Sequence, residues 1–255
     1  MKPGLFASAA GAVALLLGAC DKQGSASSSP ATTDETAAFT AAADALAAKL
    51  NTGGPRPDDP AVKAFEAQAE RGLRTLDSGA LPLRGYESYD ALCGKTAMIV
   101  AAYINLGVDK APAASRTEVM IRNAEKYRDQ MFAPTLFSAH CSAAHLPFLE
   151  KAAGADMAGK ATALQQARMG AYGQVLGLLQ MAGDPTLDEP RRRRAIEQLA
   201  GDAANFAIIL SQAQRQELAA MTDAVRAGLP DRDRPTADRI KASLAAAPCG
   251  RFCQM

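Results

Sequence analysis

The side chains best suited to acid–base or metal chemistry lie near the middle of the chain. His140 and His145 are the only histidines, and they flank Cys141. A zinc pair on a helix requires two histidines four positions apart and a nearby carboxylate. A spacing of five places them about 140° apart around a helix, so they cannot share one face. The pattern favours two capped or solvated side chains at a helix end. A small hydrolase, with Glu150 beside one histidine, is the alternative.

The densest run of charge is a set of four consecutive residues, Arg191, Arg192, Arg193 and Arg194. On a helix they would fan over about 300° and form a collar. Cations oppose the dipole at a helix N-terminus, and Asp188 and Glu189 just before them would offset this effect. The collar is interpreted either as a contact for an acidic partner or lipid headgroups, or as a solvated helix start. The second charged run, residues 231–234, is interpreted as a solvated loop.

Motifs for cofactors are missing from the sequence. Covalent haem attachment requires two cysteines two residues apart followed by histidine, and phosphate-binding loops require clustered glycines. Methionines could line a cavity between helices, although methionine at helical spacing more often fills a core. The methionines in question include Met98, Met120, Met131, Met169 and Met181. We therefore predict no cofactor and no metal, with a hydrophobic-ligand or haem carrier as an alternative.

The first residues have the layout of an export signal. Lys2 supplies positive charge, and an uncharged run from Leu5 to Gly18 follows. This run is shorter than the roughly 20 apolar residues that span a bilayer. It ends in Leu17-Gly18-Ala19-Cys20, which resembles the lipobox of bacterial lipoproteins. The resemblance covers only the start of the chain, and it implies export, cleavage before Cys20 and lipidation of that cysteine.

The residues after the cleavage position form a predicted tether. Residues 1–19 are the expected signal peptide, and residues 20–32 are the lipidated cysteine and a segment rich in Gly, Ser, Ala and Thr. Two or three acyl chains would anchor the protein stably, since each buried methylene contributes about 0.8 kcal/mol. We expect a periplasm-facing, lipid-anchored protein of the bacterial envelope. Asp21 resembles the inner-membrane retention signal of enterobacterial lipoproteins, which favours the inner membrane and leaves the outer one open.

Four cysteines follow Cys20, and an even number in an exported chain usually forms disulfides. Three pairings can be drawn, and we favour Cys93 with Cys141 and Cys249 with Cys253. The first closes a loop of roughly 48 residues, worth about 4 kcal/mol by the chain-entropy argument, and the second a short loop worth about 2 kcal/mol. The pairing leaves Cys141 unable to act as a thiolate.

Composition limits the partners and the fold. Loss of residues 1–19 removes Lys2, so 28 basic residues become 27 against 27 acidic ones. A nearly neutral exported chain is not expected to bind nucleic acid. Tryptophan is absent, alanine is frequent and β-branched residues are scattered, which favours helices.

Capping signals and turn residues predict about nine helices. Capping boxes begin at Thr32, Ser115 and Ser211, and Asp59-Pro60 begins another helix. Short connections predict a multi-helix bundle or stacked helical hairpins, in a single domain over 33–255 that ends in the cysteine turn. The expected helices cover about 32–50, 60–76, 89–106, 115–132, 135–153, 160–181, 191–210, 212–227 and 236–246.

These features favour a non-enzymatic role. We expect the chain to bind a protein partner in the envelope, either as an inhibitor or immunity-type protein against an envelope-directed toxin, or as an envelope assembly factor. The inhibitor is favoured because the chain lacks the repeats typical of scaffolds, and this preference rests on analogy.

Overall fold

The computed structural model describes residues 30–77, 83–153, 161–246 and 253. Within these residues the chain is all-α and has no strand, so the predicted all-α multi-helix fold is confirmed. None of the helices described there is both long and apolar enough to cross a membrane. The helices are α1 (Pro30–Thr52), α2 (Pro60–Asp77), α3 (Leu83–Ile104), α4 (Arg116–Lys126), α5 (Arg128–Ala153), α6 (Ala161–Gly183), α7 (Glu189–Ile209), α8 (Gln212–Ala227) and α9 (Arg234–Ala246), with a 3₁₀ turn at Ala113–Ser115.

The predicted signal peptide lies outside the described residues, as does most of the tether. The end of the tether is helical instead, because α1 begins at Pro30 and not at Thr32. Proline is well suited to the first turn of a helix, where its missing N–H has no partner to lose. Thr32 therefore lies inside α1, and its predicted role as N-cap is wrong.

The chain divides into two compact units, the first extending to Cys141 and the second starting at Ser142. The division falls inside α5, so one continuous helix contributes to both units. The predicted single domain over 33–255 stays a prediction, and the two units are described separately.

An aromatic cluster forms the centre of the first unit. The ring of Phe39 in α1 lies 5.5 Å from Phe65 in α2 and 5.4 Å from Phe137 in α5. All three side chains are buried, and the buried Val62, Ala69 and Leu73 extend the apolar face of α2. A Cβ at Gly72 would overlap the ring of Phe137, so only glycine permits this close approach.

Helix ends in the first unit are fixed by specific side chains. The carboxylate of Asp59 accepts a hydrogen bond from the N–H of Ala61 at 2.9 Å, which confirms the start of α2. At the C-terminal end of α3, the buried side-chain amide of Asn123 donates hydrogen bonds to the carbonyls of Ile104 at 3.0 Å and Leu106 at 2.8 Å. Gly107 then turns the chain with φ of 73°, as its predicted place after α3 requires.

The disulfide between Cys93 and Cys141 joins α3 to α5, with the two Cα atoms 5.8 Å apart. This pairing is the one predicted. Both cysteines are buried, and the bridge links residues 48 positions apart in the chain. The bridge therefore holds two distant helices of the first unit together.

Two helix boundaries near the middle of the chain differ from the prediction. The helix that begins after Ser115 ends at Lys126 and not at Phe132, and α5 then runs unbroken through Pro134 and Pro147. Proline has a φ compatible with a helix and removes one hydrogen bond. The buried side chains of α5 offset that loss, so the predicted break between the helices over 115–132 and 135–153, where Pro134 lies, is wrong.

In the second unit, α6 packs on α7 and α8, and α9 packs on the same two helices. Their contact is apolar and completely buried, built from side chains that include Leu178, Leu179, Ile196, Leu199 and Phe206. The predicted capping box at the start of α8 is present: Ser211 Oγ accepts from the N–H of Gln214, and Gln214 Oε1 accepts from the N–H of Ser211. The capping box fixes where α8 begins, directly after α7 ends.

Candidate functional site

The arginine run lies on the first turn of α7, where the sequence placed it. Asp188 is the N-cap, and its carboxylate accepts a hydrogen bond from the N–H of Arg191 at 2.9 Å. The same carboxylate lies 3.7 Å from Arg191 Nε. All four arginines are half-buried, so they are less exposed than a fully solvated helix start would be.

Arg193 is bound to carboxylates on two different segments. Its Nε lies 3.1 Å from Asp233 Oδ1, and its Nη2 lies 3.5 Å from Glu189 Oε1. Asp233 is only 7% exposed. The interpretation of residues 231–234 as a solvated loop is therefore wrong for Asp233. Its charge is buried against Arg193, and a buried charge needs such a partner.

The loop before α9 brings Arg232 to the same carboxylates, and Arg234 is the first residue of α9. Arg232 contacts Glu189 and lies 3.9 Å from Asp233, while Arg234 Nη1 lies 2.7 Å from Asp231 Oδ1. We call the set of six arginines the arginine cluster: Arg191, Arg192, Arg193, Arg194, Arg232 and Arg234. Arg191, Arg193, Arg232 and Arg234 each lie beside at least one carboxylate of Asp188, Glu189, Asp231 or Asp233.

Arg192 differs from its neighbours in the arginine cluster. It forms no ion pair with any residue of the described ranges, and its Nε is buried without a hydrogen-bond partner there. Arg191 and Arg193, by contrast, are held by carboxylates of their own chain. The sequence predicted the collar but not this difference, because the partners lie 40 residues away in the chain, as for Arg193 and Asp233.

Both histidines lie inside α5, and not at a helix end as predicted, because neither Pro134 nor Pro147 ends that helix. Each is half-buried. The side chain of Glu150 lies outside the described residues. In the part of the chain that the structure describes, no three His, Cys, Asp or Glu side chains come close enough to hold a metal ion.

The second predicted disulfide is only partly visible. Cys253 is buried and disulfide-bonded, while Cys249 lies outside the described residues. Since Cys93 and Cys141 are bonded to each other, the pairing of Cys249 with Cys253 stays the prediction for the C-terminal turn.

The five methionines named above differ widely in burial. Met131 and Met181 are buried, whereas Met98 is 66% exposed and Met169 is 46% exposed. Met120 is half-buried. The described methionines thus give no support to a methionine-lined pocket.

Two buried arginines at the opposite end of α7 were not found by sequence reasoning. Arg168 Nε donates to the carbonyl of Ile209 at 2.9 Å, and Arg215 Nε donates to the carbonyl of Leu210 at 3.2 Å. Arg215 Nη2 also donates to the carbonyl of Ala207. Burial lowers the pKa of both guanidinium groups. Cations at this end stabilise the helix dipole and bind carbonyls that have no partner within the helix.

A cleft of about 440 Å³ opens beside one of these buried arginines. One wall is the first part of α8, with Gln212, Arg215, Gln216 and Ala219. The other wall is formed by Leu244 and Ala245 of α9 together with Cys253. No sequence motif marked this cleft, because its wall residues are separated in the chain and only the packing of α8 on α9 brings them together.

The comparisons with known proteins yield no match: no family model, curated protein or solved structure shows significant similarity to this chain.

Proposed function

We propose that this chain is a lipid-anchored protein of the bacterial envelope that faces the periplasm and binds the acidic surface of another protein, without chemistry of its own. The supporting observation is the arginine cluster, in which Arg191, Arg193 and Arg232 lie beside the carboxylates of Asp188, Glu189 and Asp233 at the start of α7. The export and lipidation part rests on Leu17-Gly18-Ala19-Cys20. An inhibitor or immunity-type role is preferred to an assembly role on the analogy given above.

The geometry of the arginine cluster suits recognition of a charged surface. Arginine presents five N–H donors in a rigid planar group that matches carboxylates. Arg193 is already held in place by Asp233 and Glu189, so less side-chain entropy is lost when a partner binds. A concentration of arginines in an otherwise nearly neutral chain also directs the approach of an acidic partner.

Arg192 is the position at which this proposal is tested. Charge reversal at Arg193 would leave the buried Asp233 without its partner and would disturb the fold. Arg192→Glu avoids that effect, because Arg192 has no ion pair among the described residues. Arg122→Glu, on the exposed surface of α4, is the matched control.

The experiment first captures partners from envelope extracts with the lipidated chain, and then measures the affinity of each purified candidate for the variants. We expect Arg192→Glu to weaken binding of the true partner by about tenfold at low salt, with a smaller difference at high salt. Arg122→Glu should bind as the wild type does. Equal binding by Arg192→Glu at low salt would contradict the proposal, and so would a cluster that binds only vesicles of anionic lipid.

The double variant His140→Ala with His145→Ala addresses the hydrolase alternative. It should retain the same partner and the same affinity. A variant that folds and binds normally but loses the biological activity would support the hydrolase.

A further inference from the structure

Among the methionines of the described residues, two have exposed side chains. These are Met98 on α3 and Met169 on α6, whereas Met131 and Met181 are buried. Oxidants of the peroxide class convert the thioether of methionine to a sulfoxide. The oxidant must reach the sulfur from solvent, so we expect Met98 and Met169 to react before the buried methionines.

Met169 differs from Met98 in that a side-chain amide donates to its sulfur. Gln214 Nε2, on α8, lies 3.9 Å from Met169 Sδ. Met98 has no such donor in the part of the chain that the structure describes. A thioether sulfur is a weak acceptor, so the bond from Gln214 contributes little while Met169 is reduced.

The amide of Gln214 is held in place by the start of α8. Its Oε1 accepts hydrogen bonds from the N–H of Ser211 at 3.1 Å and from the Ser211 hydroxyl at 3.2 Å, as part of the capping box. These bonds fix the orientation of the amide, and its Nε2 then lies toward Met169. Little side-chain entropy would therefore be lost if a stronger acceptor replaced the sulfur.

A second contact between the same helices lies one turn further along. Tyr172, three residues after Met169, is hydrogen-bonded to Glu217, three residues after Gln214. Residues three apart lie on the same face of a helix, so the two contacts follow one another along one edge of the packing of α6 on α8. A stronger bond at Met169 would therefore strengthen this edge.

We propose that Met169 is an oxidation site for oxidants of the peroxide class, and that Gln214 binds the sulfoxide formed there. The sulfur attacks one oxygen of hydrogen peroxide and the O–O bond breaks. That oxygen stays on the sulfur, which is oxidised by two electrons, and the other oxygen leaves with both protons as water. A methionine sulfoxide reductase reverses the step: a dithiol is oxidised to a disulfide and the oxygen leaves as water.

The sulfoxide oxygen accepts the hydrogen bond that the sulfur accepted only weakly. It extends from the sulfur toward solvent and toward Gln214 Nε2, and its polarity makes it a far better acceptor than the thioether. Because Met169 is exposed, the polar group keeps most of its hydration, unlike a sulfoxide formed in a core. Oxidation of Met169 should therefore stabilise the contact between α6 and α8.

The first experiment treats the full chain with hydrogen peroxide at a dose that leaves Met131 and Met181 unmodified, as peptide mass spectrometry shows. Met98 and Met169 should both become sulfoxides at that dose. The side-chain amide NMR signals of Gln214 should shift on oxidation, because its hydrogen bond becomes stronger. The proposal is wrong if Met169 stays reduced while Met98 is fully oxidised, or if the Gln214 signals do not move.

Denaturant unfolding before and after oxidation measures the effect on stability. Oxidation of Met169 should lower the equilibrium constant of unfolding by about fivefold, the size of one net hydrogen bond. Other methionines react in the same sample, so the effect is taken as the difference between the wild type and Met169→Leu. Leucine has a similar volume and no sulfur. Met98→Leu is the matched control and should keep the whole effect, whereas equal responses of the wild type and Met169→Leu would contradict the proposal.

Gln214→Glu tests the donor while it retains the capping box. Glutamate can accept from the N–H of Ser211 as glutamine does, but its carboxylate has no N–H for the sulfoxide. The stabilisation on oxidation should vanish in this variant. It should persist in Gln216→Glu, the same charge change at an exposed residue on the opposite side of α8. Persistence in Gln214→Glu would overturn the proposal. None of these measurements involves the arginine cluster or a protein partner, so failure here leaves the proposed function unaffected.

Discussion

Tyr172 on α6 donates its phenol proton to the carboxylate of Glu217 on α8. Burial of the phenol, together with this hydrogen bond, raises the pKa of Tyr172 from 10.0 to about 12. Tyr103 in the first unit shows the same direction for a related reason: burial raises its pKa, and the charge of Glu66 adds to the effect. Each unit therefore contains a phenol that resists ionisation.

The Tyr172 phenol predicts a specific loss of stability in alkali. The unfolded chain loses this proton near pH 10, whereas the folded chain keeps it until about pH 12. A raised pKa in the folded state means that the stabilisation is complete below pH 10 and is lost as the pH rises to about 12. Tyr172→Phe lacks this titration, so its free energy of unfolding should fall less over that interval than that of the wild type.

Urea unfolding of both proteins at several pH values between 9 and 12 measures the difference, and the wild-type absorbance of tyrosinate follows the titration directly. Parallel loss of stability in the two proteins would show that Tyr172 titrates like an ordinary exposed phenol.

Two helices begin with the same type of sequence signal, but only one uses it. At the start of α8 the N-cap Ser211 is extended, with φ of −66° and ψ of 159°, and its hydroxyl accepts from Gln214. At the start of α4 the N-cap Ser115 has φ of −105° and ψ of −2° and makes no side-chain cap bond. The cause is local, because Ser115 also ends the 3₁₀ turn Ala113–Ser115, which holds its backbone outside the extended region that capping needs.

This difference predicts unequal effects of the same substitution. Ser211→Ala should lower the free energy of unfolding by about 1 kcal/mol, the ordinary value for a lost N-cap. Ser115→Ala should leave it nearly unchanged, since no cap bond is lost. Chemical denaturation of the two variants beside the wild type makes the comparison. Equal losses would mean that the two serines have the same role in solution.

The helices that the sequence predicted well are those whose boundaries depend on neighbouring residues. Asp59 before Pro60 and Ser211 before Gln214 act within one turn, and both starts were predicted correctly. The sequence predicted a break near Pro134, whereas α5 is continuous there. The contacts that compensate for the hydrogen bond lost at the proline are made with distant segments such as α1. Whether a helix continues through a proline is therefore decided by tertiary packing.

In the candidate sites, too, the features set by neighbouring residues were predicted and those set by distant contacts were not. The arginine run of α7 is visible in the sequence, but the burial of Asp233 against Arg193 is not, because alternating charges are usually solvated. The cleft beside Arg215 was likewise not predictable, since its walls come from α8, α9 and the last cysteine of the chain.

At the scale of the molecule, the long disulfide should contribute more stability than the short one. Cys93→Ala with Cys141→Ala opens a loop of 48 residues, and by the chain-entropy argument this costs up to about 4 kcal/mol. Cys249→Ala with Cys253→Ala should cost about 2 kcal/mol, because the loop is much shorter. Denaturant unfolding of the two double variants measures the order. Non-reducing peptide mapping checks the pairing, and a peptide that links Cys249 to any cysteine other than Cys253 would contradict it.

The proposed attachment of the molecule to a membrane depends on one residue outside the described ranges, Cys20. The lipobox resemblance predicts that Cys20 receives acyl chains and becomes the first residue of the mature chain. Two or three acyl chains bind a bilayer far more stably than one, since the binding free energy grows by about 0.8 kcal/mol per buried methylene.

Cys20→Ser removes the thiol that receives the lipid, so the chain should take up no labelled palmitate and should keep residues 1–19. Asp21→Ser is the control: it leaves the thiol in place and should label as the wild type does. Metabolic labelling, mass spectrometry of the N-terminus and detergent phase partitioning together measure these outcomes. A Cys20→Ser chain that is labelled and cleaved like the wild type would contradict the lipid anchor, and the disulfide bonds of Cys93, Cys141 and Cys253 would then be the remaining support for a location outside the cytoplasm.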